Sequence, residues 1–484
     1  MPDRYHIHTV SVPGRFHRVG KFGGIDWRED CSRCSNCVKR RCCFDVYEHE
    51  SAHNRDPFAA IQTLYECKAC FSCVQGCTKG LLSLSVNPEF LEMGDEFWTP
   101  DLILSTWNQA ETGRIPVSGA GYRGRFHGPG FDSIWTDMSE IVRPTRDGIH
   151  GREYISTSVD IGRKPMRLSF AVDGRMLSEP ADLLEIQMPA ILDLPPWPVP
   201  QGGFARVRAI AAKELKTMAV VLARDAKHLP SDLQACAVPV IHGTMEDSKP
   251  VVDQAWKMVQ LVDSPGVAET ADFIRSKNPK IILSIRMDLA PNSAARIIEL
   301  SRCGISTFHL CADLHGRERM PDSSPGRHVK DALREIHSRL VDEGIRDELT
   351  LVAAGGIGLA EHMAKAIICG ADLVAVDTAL LISLGCRVCR GAHTSDTHRT
   401  NTTISSALSG CPAAIDSVES EYAAQRVVNL MGAWHSQLIE VLGAMGIREV
   451  RRLRGEMGRA IFMEEIEKEA FGDLFRVPRE QVNV

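Results

Sequence analysis

From about residue 183 onward, short apolar runs rich in β-branched residues alternate with stretches whose apolar positions recur at helical spacing. Eight runs follow one another: LEIQMPAILDL from Leu184, MAVVLA from Met218, AVPVIHG from Ala237, MVQLVDS from Met258, KIILSIRMD from Lys280, STFHLCAD from Ser306, LTLVAAGG from Leu349 and LVAVDTALL from Leu373. Between them lie helical patterns such as SAARIIELSRC from Ser293 and GRHVKDALREIHSRLVD from Gly326. Strand–helix alternation calls for a parallel sheet, and eight units predict a closed (β/α)8 TIM barrel, an α/β fold. An open doubly wound sheet is the alternative. Further on, Val427, Met431, Trp434, Leu438, Val441 and Met445 recur at helical spacing and predict a packing helix.

Upstream of residue 183 this rhythm is absent. Asn87 to Arg114, with Pro88, Pro100 and mixed polar residues, reads as a linker. RIPVSGAGYRGRFHGPGFDS, from Arg114, is rich in glycine and arginine, which suits tight turns and close backbone approach. Arg143, Arg146 and Arg152 could grip phosphate or carboxylate groups, or pair with Asp137, Glu140 and Asp147. The expected organisation is therefore a cysteine-rich module at 1–90 and a linker with a Gly/Arg-rich segment at 91–182. The barrel follows at 183–385, then a cysteine-containing segment with C-terminal helices at 386–484.

Composition narrows the function classes. The 484 residues are 44% hydrophobic and 24% charged, with a formal net charge of −6. That balance gives no overall attraction to nucleic acid or anionic membrane. No apolar run reaches the ~18 residues of a membrane span. The opening MPDRYHIHTV has no signal-peptide core, so a cytoplasmic location is expected.

Nine of the 16 cysteines fall between residues 31 and 77. They read Cys31-x2-Cys34-x2-Cys37-x4-Cys42-Cys43 and Cys67-x2-Cys70-x2-Cys73-x3-Cys77. A C-x2-C-x2-C triplet wraps three thiolates around one iron–sulfur cube, and the remote cysteine reaches the other cube. Cys31, Cys34, Cys37 and Cys77 are thus expected on one [4Fe–4S] cluster, and Cys67, Cys70, Cys73 and Cys42 on the second. Cys43 is an alternative to Cys42, and zinc is the alternative metal. The arrangement resembles bacterial two-cluster ferredoxins, which implies an α+β module that handles electrons.

In a barrel the chemistry lies at the carboxyl ends of the strands. Asp193, Arg224, His242, Asp263, Arg286, Asp288, Asp313, His315, Asp377 and Thr378 stand there. Among these, Arg286, Asp313 and His315 are the catalytic candidates. The Ala353-Ala-Gly355-Gly356-Ile-Gly358 turn after the seventh strand matches the usual barrel phosphate site. Cys386, Cys389 and Cys411, the last followed by Pro412, could hold a third cluster, [3Fe–4S] or [4Fe–4S]; non-ligating buried thiols are the alternative.

SPGV at 264–267, ILSIRMD, the run AAGGIGLAEHMAKAIICGADLVAVDTALLISLGC from Ala353, and GCPAAI from Gly410 resemble the FMN-binding synthase domain of glutamate synthase. The likeness is to its short archaeal-type form with a fused ferredoxin-like module. It implies an iron–sulfur flavoprotein that reduces 2-iminoglutarate, formed from 2-oxoglutarate and ammonia, to glutamate. It also implies that Gly355, Gly356, Gly358, Asp377 and Thr378 line the FMN phosphate, and that Arg286 replaces a flavin-side lysine. On the same grounds Cys386, Cys389 and Cys411 are cluster ligands. The chain departs from the family at LDLPPWPV (192–199), which replaces an SMSFGS-like motif, and in lacking a GEGG segment after the second strand. No N-terminal cysteine nucleophile of a glutaminase is present, so ammonia is expected to come from solution or from a separate ammonia-supplying subunit. Without a convincing GxGxxG opening a βαβ unit, electrons should come from a donor protein or an NAD(P)H-oxidising flavoprotein subunit.

Overall fold

The computed structural model describes residues 5–17, 19–31, 41–43, 70–115, 128–136, 155–164, 168–177, 183–197, 203–242, 256–321, 324–389, 413 and 415–472. Among the described residues, five short strands precede the barrel. Strand β1 (Phe22–Trp27) pairs antiparallel with β2 (Leu82–Val86). Strand β3 (Ile134–Thr136) pairs with β14 (Ala460–Phe462), and β4 (Val159–Ile161) with β5 (Leu184–Ile186), also antiparallel.

The eight predicted runs all become barrel strands. They are β6 (Ala190–Leu192), β7 (Ala219–Leu222), β8 (Ala237–His242), β9 (Met258–Val262), β10 (Ile282–Asp288), β11 (Thr307–Cys311), β12 (Thr350–Ala354) and β13 (Leu373–Val376). They pair in parallel and in sequence, and β13 closes onto β6 with Val374 opposite Ala190. Strands β11, β12 and β13 are buried at every residue, as expected where helices cover one face and a packed interior fills the other. The first run divides at Gln187-Met188-Pro189: its LEI portion forms β5 outside the barrel, and AIL forms β6.

Part of the segment expected to be linker is helical. Helix α1 (Pro100–Thr112) has proline in its first turn, where no N–H is missed, and ends on Gly113 at φ 66°. The helices of the barrel layer include α2 (Gly203–Glu214), α3 (Val267–Lys277), α4 (Ser293–Arg302), α5 (Val329–Asp342), α6 (Ala360–Ile368) and α7 (Thr378–Ser383). Helix α8 (Ser420–Ala444) is the expected packing helix, and Val427, Met431, Trp434 and Leu438 are buried on it. It holds the chain's beginning in place. Asn429 accepts from the Val10 N–H (3.1 Å) and donates to Val10 O (2.7 Å) and Ala110 O (3.0 Å). Trp434 donates to Gln109 Oε1 on α1 at 3.1 Å. Residues 5–17 therefore pack on the barrel's helical layer although the cysteine motifs begin shortly after them. No helix among the described residues is long and apolar enough to cross a membrane.

Candidate active site at the barrel mouth

Four polar side chains meet inside the carboxyl end of the barrel. Asp193 follows β6, Gln260 lies on β9, Arg286 on β10 and His309 on β11, and all four are buried. Arg286 and His309 face one another across adjacent strands, which the parallel register dictates. Arg286 grips Asp193 through both ends of its fork, Nη1 to Oδ1 at 2.8 Å and Nη2 to Oδ2 at 3.1 Å. Its Nη1 also donates to Gln260 Oε1 at 3.2 Å. Gln260 Nε2 lies 2.9 Å from His309 Nδ1, and His309 Nε2 lies 3.1 Å from Asp193 Oδ2. Only a neutral imidazole protonated at Nε2 satisfies both contacts.

A second guanidinium supports this unit from outside. Arg208 on α2 is buried, donates to Asp193 O at 2.8 Å and also donates to Val220 O. Burial opposes the Asp193 charge, but Arg286 and His309 overcome it and hold the carboxyl far below the usual range. Burial likewise disfavours the His309 cation, whose pKa falls. Burial pushes the Cys311 thiol up to about 12, which removes it as a nucleophile. The result is a dry unit in which one positive and one negative charge cancel.

Asp377 caps α7 by accepting from the Thr378 N–H. Burial, aided by the Asp193 charge, raises its carboxyl to about 6. Beside it, Thr378 Oγ1 is buried with no hydrogen-bond partner. Across from these, Gly355 and Gly356 take φ values of 91° and 67°. A Cβ on Gly355 would stand 2.6 Å from Asp313 O, and one on Gly356 2.6 Å from Gly316 N. Both glycines are therefore demanded by the loop that follows β11. Among the described residues nothing accepts from the N–H of Gly356 or Ile357. An orphaned hydroxyl together with unused N–H groups fits the phosphate of FMN.

The structure separates the sequence-named candidates. Arg286 lies at the centre of the buried unit. Asp313 instead shapes a turn, its Oδ1 accepting from the N–H groups of His315 (2.9 Å) and Arg317 (2.7 Å). His315 is half-exposed and pairs outward with Asp95 at 2.9 Å, which raises its pKa. Gly358 packs under Trp98, whose indole N–H donates to Leu314 O at 3.0 Å. Gln260, His309 and Arg208 were not singled out by sequence. For Gln260 and His309 the available signal was one polar residue inside an apolar strand run, whereas Arg208 is a lone buried cation on helix α2.

Among the cysteines, Cys34, Cys37, Cys67 and Cys411 lie outside the described residues, as do Arg143, Arg146, Arg152, Asp137, Glu140 and Asp147. Cys73 is buried against Leu82, with Cys42 and Cys77 packed beside it. Cys43 Sγ stands 3.5 Å from Cys70 Sγ. Backbone N–H groups aim at sulfur: Leu81 N at Cys77 Sγ (3.4 Å) and Val388 N at Cys386 Sγ (3.5 Å). Such donors favour thiolate over thiol, which suits iron ligands. Glu89, on the turn after β2, accepts from Arg387 at 2.7 Å and lies 3.0 Å from His17. Arg387 sits between Cys386 and Cys389, so the cysteine-rich module meets the barrel at that loop.

Similarity to known proteins extends over most of the chain. The conserved region of glutamate synthase matches residues 322–448. The archaeal glutamate synthase [NADPH] of Archaeoglobus fulgidus is 25% identical, over 96% of this chain and 99% of its own length. The archaeal-type glutamate synthase [NADPH] of Dehalococcoides mccartyi is 24% identical over 89% and 93%, and that of Thermotoga maritima 26% over 91% and 95%. Among solved structures, a flavocytochrome b2 variant with pyruvate bound matches at 12% identity and a TM-score of 0.41, over 72% of this chain and 94% of its own.

Proposed function

The comparisons support the glutamate synthase synthase-domain family, and on that premise we propose that this chain is an iron–sulfur flavoprotein oxidoreductase that converts an imino acid, 2-iminoglutarate, to glutamate. In this reading Gly355, Gly356, Asp377 and Thr378 hold the FMN phosphate. Two [4Fe–4S] clusters sit in the cysteine-rich module, on Cys31, Cys34, Cys37, Cys42, Cys67, Cys70, Cys73 and Cys77. A third cluster sits on Cys386, Cys389 and Cys411. When bound, FMN supplies the means to collect single electrons and pass on a hydride. The observation that carries the reading is one closed barrel bearing both a glycine turn with unused N–H groups after its seventh strand and a cysteine pair just after its eighth.

The chain's own residues do the remaining work. The Asp193–Arg286–His309–Gln260 unit gives the mouth a rigid polar floor whose dipoles need no rearrangement. Asp377 is half-protonated near pH 6 and so limits the negative charge facing an anion at the end of β13. Electrons originate in a donor protein or an NADPH-oxidising flavoprotein subunit, ammonia comes from solution or another subunit, and the assembly is cytoplasmic.

A second reading, a related flavin and iron–sulfur oxidoreductase with a different substrate, is favoured by the ion pair at the floor. Asp193 lies in the segment that replaces the family's first-strand motif, and it already neutralises Arg286. The decisive experiment purifies and reconstitutes the chain anaerobically, counts flavin and iron, and assays turnover with 2-oxoglutarate, ammonia and reduced ferredoxin. Glutamate formation supports the first reading. Bound flavin and iron without glutamate support the second, and absence of flavin rejects both.

A further inference from the structure

A cluster of ligand-type side chains lies behind the glycine turn. Asp132, Glu361 and His362 bring one donor atom each to within 4.8 Å of one another. Asp132 sits on the short 3-10 turn Gly130–Ser133, just before β3. Glu361 and His362 open α6, immediately after the glycine turn.

The orientation of His362 is fixed from two sides. Its Nδ1 accepts from the Gly358 N–H at 3.2 Å and lies 3.3 Å from Gly356 O. Phe131 packs against the ring, centroids 5.2 Å apart. Nε2 therefore points toward Asp132 Oδ1 at 3.5 Å and makes no hydrogen bond. His362 is only 3% exposed, so bulk solvent does not reach that nitrogen. Leaving a buried nitrogen unsatisfied costs about 1–3 kcal/mol. A cation between the three side chains removes that cost.

We propose that Asp132, Glu361 and His362 bind a divalent first-row transition cation, with water completing its shell. Three donors at about 2.0–2.2 Å from one ion stand ~3–4 Å apart, so the group closes by about 1–2 Å at most. One imidazole with two carboxylates suits manganese, ferrous iron or zinc better than calcium. Lys365 holds one Glu361 oxygen at 2.9 Å, offsetting charge when the ion is absent and leaving the other oxygen to bind. Ligation through Nε2 puts the ring proton on Nδ1, where Gly356 O accepts it in place of the Gly358 N–H donation. The ion thus ties the turn before β3 to the glycine turn and fixes the latter's hydrogen bonding.

The test dialyses the reconstituted full chain against Mn2+, which thiolates hold weakly, and counts bound manganese. The expected result is one saturable Mn2+ per chain, with affinity reduced about a hundredfold or more in both Asp132→Asn and Glu361→Gln. Asp232→Asn, at an exposed carboxylate paired with Lys213, should bind like the wild type. Thermal melting confirms that each variant is folded, and the wild-type melt should rise with Mn2+ while those of the two ligand variants do not. No saturable site in the wild type, or unchanged binding in both folded ligand variants, overturns the proposal in favour of a plain His–Asp pair. None of these readouts depends on flavin or turnover.

Discussion

Arg286 and Asp193 stabilise the barrel mouth only as a pair. Arg286→Ala strands a carboxylate that is 1% exposed, and removing one partner of a buried ion pair costs about 3–5 kcal/mol. Urea unfolding should show that loss. Adding Asp193→Asn should recover much of it, because the uncompensated charge disappears; purely additive losses would mean that the two side chains act separately. Asp377 makes a prediction of opposite character. Its folded carboxyl titrates at about 6, above the unfolded value of about 3.9, so the native state holds a proton that the unfolded chain has already released. Stability conferred by that proton is complete below pH 4 and fades as pH rises through 6, by up to about 3 kcal/mol. Asp193 does not mask the effect, since its depressed carboxyl is ionised in both states across that window. Burial lowers His309, His328, His337 and His435, which makes stability climb over the same window. Asp377→Asn, by removing the opposing loss, should steepen that climb between pH 4.5 and 7, and a parallel pH profile in the variant would disprove the assignment.

At the level of elements, what the sequence revealed depended on how local the cause was. Each barrel strand is a short β-branched run bounded by breakers, so eight strands and their order were legible. Helix α1 was hidden because Pro100 reads as a breaker, although proline at a first helical turn is a start signal and Gly113 is the matching stop. Pairing of β3 with β14 joins residues more than 300 positions apart, and no local pattern encodes it. The polar floor was partly legible. Arg286 stood out by its charge, whereas Gln260 and His309 gain meaning only once the barrel register turns them toward the same interior. Tethering of the N-terminal stretch was invisible for the same reason, since Asn429 sits on a helix whose apolar spacing explains the rest of its face. Asn429→Ala removes three hydrogen bonds to Val10 and Ala110 and leaves the buried Ala110 carbonyl unmet, a loss of about 1–3 kcal/mol. Limited proteolysis should then cleave before residue 20 well ahead of the barrel, and equal resistance to the wild type would show that other contacts hold this stretch.

Across the whole molecule, the described part of the cysteine-rich region meets the barrel around Arg387. The cysteine-rich hairpin continues from β2 into Asn87 and Glu89, and Glu89 joins Arg387 at 2.7 Å, while the Gly94 N–H donates to Arg387 O at 2.8 Å. Arg387 in turn lies over the rings of Phe16 and Trp107, 5.4 and 5.9 Å from their centroids. One arginine between two proposed iron ligands therefore anchors the module, the N-terminal stretch and α1 together. If electrons cross from the module to the barrel here, the rate depends on holding that loop in place rather than on any group at the mouth. Glu89→Arg keeps every cysteine and replaces attraction with repulsion, a change of about 1 kcal/mol or more at a partly exposed pair. Reduction of bound flavin by reduced ferredoxin should slow by about tenfold, the kinetic equivalent of ~1.4 kcal/mol. Iron and flavin content should stay at wild-type levels, and so should turnover when the flavin is reduced directly by light. A variant slowed equally in both assays would place the damage in the barrel, and one slowed in neither would show that electrons enter the barrel by another route.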